Sequence, residues 1–161
     1  MTLADILKKE WYVQHELKQI KNAVKSYRKG KTMQGKRILV VGYGKLGKRV
    51  AQTLSEQHAV TAVKRSPIQN VDQVNMCFAD ITDSKSLNIA LRESLKEGVD
   101  YLIYCLSPSE RSEQGYRDAY VVGLKNVLAS LPMPETLQHI LFISSTSVYH
   151  QENGEVVDES S

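Results

Sequence analysis

The stretch "KRILVVGYGKLGKRVAQTLSEQHAVTAVKRS" restricts the fold more than any other part of the chain. Arg37 to Val41 is a short apolar run of the kind that forms a buried strand, and G-x-G-x-x-G follows it at once as Gly42-Tyr43-Gly44-Lys45-Leu46-Gly47. From Lys45 to Ser55 the apolar residues Leu46, Val50 and Leu54 recur at helical spacing, and Ala59 to Val63 is a second apolar strand. Strand, tight turn, helix and strand make a β-α-β unit, whose two strands are parallel because the helix returns the chain to its starting end. Gly42 allows the turn, Gly44 lets another group approach the backbone, and Gly47 lets the helix lie close on the strand. The free amides at the helix start then suit a phosphate. The loop Gly42, Tyr43, Gly44, Lys45, Leu46 and Gly47 is therefore expected to hold a dinucleotide. A structural turn, or a site for another nucleotide such as S-adenosylmethionine, is the alternative.

The alternation continues. "VNMCFA" is a strand, Asp83 to Leu95 a helix, "DYLIYCL" a strand, Glu113 to Leu131 a helix, and "HILFIS" a strand. Strands alternating with helices predict a Rossmann-like, doubly wound parallel sheet of the α/β class, with about five strands in the order 3-2-1-4-5. The 161 residues suit one domain with a real core, and 42% hydrophobic with 24% charged residues fits a globular chain rather than a disordered one. The expected division is a basic extension over 1–33 and the sheet domain over 34–161.

The end of the second strand discriminates between cofactors. Sites for NAD place an Asp or Glu there, about 20 residues past the glycine loop, on the ribose 2′-hydroxyl. This chain has Lys64 and Arg65 instead. A guanidinium binds a 2′-phosphate with two parallel bonds and a carboxylate repels it, so NADP is preferred over NAD. The plainer alternative is a solvent-exposed basic loop before Pro67. Lys45, Lys48 and Arg49 crowd the first turns of the helix, where each cation opposes the dipole by ~0.3 kcal/mol or more. A bound anion would relieve that; a solvated patch would simply tolerate it.

The segments "ILVVGYGKLGKRVAQTL", "FADITD", "YVVGLKNVLASL" and "ILFISSTSVY", with "GEVVDESS" after them, resemble in order the extended short-chain dehydrogenase/reductase family of NAD-dependent epimerases and dehydratases. The resemblance spans about residues 36–161. The glycine pattern is one residue tighter than the family's usual one, and His150 replaces the Gly that usually follows Val-Tyr. The resemblance implies that Asp80 and Ile81 contact the adenine, and that Leu106 and Ser107 line the nicotinamide side. It implies that Ser145 is the catalytic serine, bonded to the substrate's reacting oxygen, with Ser144 and Ser147 as near neighbours and Tyr149 as a marker rather than the catalytic Tyr. Capping roles for Asp80 and for the serines are the structural alternatives.

The family's chemistry also needs a Tyr with a Lys four residues on, which lowers the Tyr pKa. Tyr149 has Asn153 rather than a Lys four residues on, and Lys125 is the last Lys or Arg in the chain. Tyr27 and Lys31 have that spacing but lie ahead of the first strand. The expectation is a cofactor-binding half that is inactive alone: a truncated or interrupted product, or a half with another role. A non-enzymatic dinucleotide sensor or partner subunit, docking through the N-terminal helix, is the second function hypothesis.

That helix is read from Leu3, Ile6, Val13, Leu17, Ile20, Val24 and Tyr27, which share one face. Residues 1–36 hold nine Lys/Arg and three Asp/Glu, so the basicity belongs to the extension; the remainder carries twelve and fifteen. The seam is expected to pack on the body or to pair with a second chain, and it could also be an upstream extension of an ordinary start. Residues 3–27 and the edge of the fifth strand are the candidate partner surfaces. Nucleic acid and membrane are not expected partners, since the helix lacks aromatic interleaving beyond Trp11, Tyr12 and Tyr27 and no apolar run approaches ~20 residues. Cys77 and Cys105 lack metal-ligand spacing and are expected to be buried free thiols, consistent with a reducing cytoplasm and no metal.

Overall fold

Five parallel strands pair in the order β3-β2-β1-β4-β5, the order expected from the sequence. They are β1 (Arg37–Val41), β2 (Ala59–Lys64), β3 (Val74–Phe78), β4 (Tyr101–Tyr104) and β5 (His139–Phe142). The coordinates are a computed structural model that describes residues 35–69, 71 and 73–144. The expected helix over 3–27, the boundary at 33, and Ser145, Ser147 and Tyr149 lie outside the described residues.

Alternation along β1 feeds two cores, because successive side chains of a strand point to opposite faces. Ile38 and Val40 join Val50, Ala51 and Leu54 of helix α1 (Lys45–Ser55) on one face. Leu39 and Val41 join Leu87 and Leu91 of α2 (Ser84–Ser94), with Tyr104 and Val127, on the other. Helices on both faces are what a fully parallel sheet needs, since each crossover must cover it. Helix α2 starts where Asp83 accepts from the amides of Lys85 (3.1 Å) and Ser86 (3.3 Å), a cap of the kind that contributes ~1 kcal/mol.

At the opposite end of the sheet from the glycine loop, Asp100 ties β1 to β4. Its carboxylate accepts from the Arg37 amide (2.8 Å), Nε (3.1 Å) and Nη2 (3.0 Å). The hydrogen bonds from the Arg37 side chain are the main cause that holds the Asp100 carboxyl below the ordinary range.

Three expectations need correction. The helix over Glu113 to Leu131 is not uniform: α3 (Glu113–Arg117) passes through a π-helical turn (Asp118–Val122) into α4 (Gly123–Ala129). Within that turn the carbonyl of Ala119 accepts from the buried Tyr104 hydroxyl, a bond that helical spacing cannot foretell. The fourth and fifth strands end at Tyr104 and Phe142, short of "CL" and "IS". Cys105, just past β4, is only half-buried, because the chain is already leaving the sheet; Cys77 is buried as expected.

Candidate functional site

Strand order reverses between β1 and β4, and such a crevice at the carboxyl ends of the strands is where open α/β sheets take ligands. A cleft of about 780 Å³ lies there, within the size range of small-molecule sites. Its floor is the glycine loop, and its walls are the chain ends after β2, β3, β4 and β5 with the π-helical turn.

The loop's geometry follows from its glycines. Gly42 has φ +104°, and a Cβ there would stand 2.8 Å from the Cys105 carbonyl oxygen. At Gly47 a Cβ would overlap the Gly42 carbonyl oxygen and lie 2.9 Å from Cys105 Sγ. That close approach brings the start of α1 against the ends of β1 and β4. The Cys105 thiol donates to the same Gly42 oxygen at 3.2 Å. Gly44 differs: a Cβ there would meet nothing within 4 Å, so the space beside it is open. It is the N-cap of α1, with no side-chain cap and no acidic residue in the first turn.

Lys64, the last residue of β2, and Arg65 just past it stand in one wall, and Asp80 and Ile81 in the wall after β3. Asp80 Oδ1 accepts from the Thr82 amide (2.9 Å) and hydroxyl (2.7 Å), so the carboxylate closes its own turn. Those bonds, the hydroxyl's first, hold its carboxyl below the ordinary range, and Arg65 contributes in the same direction. Asp83, not Asp80, is the helix cap. Leu106 and Ser107 line the cleft after β4. Tyr43 lines it too, but its ring is only 6% exposed and packs in the α1-side core. Its hydroxyl has no hydrogen-bond partner among the described residues, and burial raises its pKa.

The glycine loop from Gly42 to Gly47, Lys64, Arg65, Asp80, Ile81, Leu106 and Ser107 thus line one cleft, and Ser144 joins them, whereas Lys48 and Arg49 are not part of its lining. Sequence reasoning missed the contribution of Asp118, Ala119 and Tyr120, which enter from the π-helical turn. No spacing rule marks them, because the extra residue in the turn rotates the helix face. Burial raises the Tyr120 pKa, with Tyr116 adding to it, and its ring meets Phe142 edge-on at 5.7 Å.

A parallel sheet with a glycine loop at its switch point defines a Rossmann-like nucleotide-binding fold. The chain belongs to the NAD-dependent epimerase/dehydratase family, whose model matches residues 38–161. A solved protein from Methylobacillus flagellatus, named for the same family, is 33% identical over 78% of this chain and 43% of its own, with a TM-score of 0.58. The UDP-N-acetylglucosamine 4-epimerase of Methanobrevibacter ruminantium has the same fold at 17% identity, with 80% of this chain and 44% of that one aligned and a TM-score of 0.57. The 3-ketodihydrosphingosine reductase of Bacteroides thetaiotaomicron is 39% identical over 67 residues, which are 40% of this chain and 25% of that one. The chain therefore spans under half the length of these relatives. The family implies binding of a nicotinamide dinucleotide. Among the described residues no helix is long and apolar enough to cross a membrane.

Proposed function

We propose that this chain is an NADP-preferring dinucleotide-binding unit of the epimerase/dehydratase and reductase class, and that in isolation it binds the dinucleotide without turning a substrate over. The single observation that carries the preference is the wall after β2. Lys64 and Arg65 stand there, followed by Ser66, where an NAD site offers a carboxylate.

The residues present fit the cofactor. The open space beside Gly44 and the uncapped start of α1 suit a pyrophosphate, with Lys45 nearby in the cleft. Lys64 and Arg65 would hold the 2′-phosphate, Asp80 and Ile81 the adenine, and Leu106 and Ser107 the nicotinamide end. When bound, the dinucleotide supplies hydride transfer. Ser145, next after Ser144, would hydrogen-bond the substrate's reacting oxygen. The absence of turnover is expected because no Tyr with a Lys four residues on follows Ser145.

Calorimetric titration of the 161-residue chain with NADPH and NADH tests this. NADPH should bind more tightly, and Arg65→Glu should weaken NADPH by about 10- to 100-fold while changing NADH little. Equal affinities would remove the NADP preference. Reduction or epimerisation by the pure chain would remove the second clause.

A further inference from the structure

The adenine wall is a short loop that another element holds in place. Residues 80–82 close on themselves through the bonds from Thr82 to Asp80 Oδ1 and from the Asp83 amide to the Asp80 carbonyl (3.2 Å). Among the described residues, the hydrogen bonds that join this loop to a different element come from Asn126 on α4. Its Nδ2 donates to the carbonyl of Ile81 at 2.8 Å and to that of Thr82 at 3.5 Å.

The same helix receives the Ile81 side chain. A Cβ on Gly123, three residues before Asn126, would overlap Ile81 Cδ1 and lie 2.6 Å from the Tyr104 hydroxyl. Tyr104 is fully buried, and its hydroxyl donates to the Ala119 carbonyl. The helix is thus braced from below by β4 just where it grips the loop. An isolated Asn on a helix usually turns to solvent or to its own backbone. Here its amide leaves the helix to satisfy carbonyls some 45 residues back in the chain.

We propose that Asn126 is a positioning residue for the adenine end of the cleft: by holding the Ile81 carbonyl it fixes the edge that Asp80 and Ile81 present to the adenine. This rests on the dinucleotide reading above. Without the amide, the loop keeps its internal turn but loses its polar anchor to α4. Ligands that use the adenine wall then bind more weakly, while the sheet and the helices stay as they are.

The test uses the full 161-residue chain with Asn126→Ala and Asn126→Asp. Two probes, NADPH and adenosine 2′,5′-bisphosphate, are titrated calorimetrically, and amide hydrogen exchange is followed by peptide. Asn126→Ala should weaken both probes by about threefold to tenfold, the range of one net hydrogen bond. Asn126→Asp should weaken them further at neutral pH, since a carboxylate then faces two carbonyl oxygens. Exchange should rise over residues 80–83 and stay unchanged in β1 and β4, as expected for a local anchor. Wild-type affinity in both variants would overturn the proposal and leave the dinucleotide reading standing. Exchange that rises evenly through the domain would also overturn it, because Asn126 would then serve general stability. Failure of the wild-type chain to bind either probe would bring down the dinucleotide reading and this proposal with it.

Discussion

Two strands of this sheet are alike in sequence and opposite in burial. β1 reads RILVV and β5 reads HILF. Leu39, Val40 and Val41 are fully buried, whereas Ile140, Leu141 and Phe142 are 46%, 41% and 39% exposed. β1 lies between β2 and β4 with helices on both faces, and β5 pairs with β4 alone among the described residues. Aromatic contacts add to its attachment: Phe142 stacks on Tyr104 at 5.5 Å and meets Tyr120 edge-on, and His139 stacks on Tyr101 at 5.6 Å. An apolar strand sequence states that a strand can be buried. How many neighbours cover it is decided elsewhere in the chain.

The same substitution in the two strands puts the contrast to a test. Leu39→Ala opens a cavity in a closed core and should cost about 2–5 kcal/mol in chemical denaturation. A loss below 1 kcal/mol there would mean that β1 is not the centre of the domain.

Next in size is the glycine loop. Gly47→Ala forces a methyl into the Gly42 carbonyl and should cost about 1–3 kcal/mol or more. Gly44→Ala, where space is open, should cost under about 1 kcal/mol as a weaker N-cap. Under the proposed function it should nonetheless weaken NADPH, so stability and binding separate at Gly44 and fall together at Gly47. Equal stability of the two variants would break the distinction.

Asp100→Asn comes third, at about 1.5–3 kcal/mol near neutral pH, since it removes a carboxylate that accepts from the Arg37 side chain. The folded carboxyl titrates below its unfolded value of about 3.9. Its contribution is therefore complete above pH 4 to 5 and is lost as pH falls through the folded pKa. The stability difference between wild type and variant should shrink on acidification; a constant difference from pH 7 to 3 would exclude this linkage. Smallest is Leu141→Ala in β5, at about 0.5–1 kcal/mol, because that side chain is already part-solvated. A cost equal to that of Leu39→Ala would show β5 to be covered in solution.

The strand order and the start and end of β1 and α1 were legible because local signals agreed there: apolar run, glycine loop, helical spacing. The same agreement marked Gly42, Gly44, Lys64 and Arg65, the family resemblance added Asp80, Leu106 and Ser107, and all of them line a single cleft. Reading "YCL" as strand failed at Cys105, where the chain leaves the sheet one residue after Tyr104. Reading Glu113 to Leu131 as one helix failed at Asp118–Val122, where the turn is π-helical and the Ala119 carbonyl accepts from Tyr104, 15 residues back in the chain.

By itself the sequence determined the alternation of elements and the parallel sheet, since these follow from spacing and from glycine stereochemistry within a few residues. Only the tertiary structure decided which apolar strand is closed and which is open, where the last helix takes its π-helical turn, and that Asn126 grips Ile81. Each of these depends on contacts between residues far apart in the chain, and no local pattern encodes the partner of a buried hydroxyl or an exposed edge.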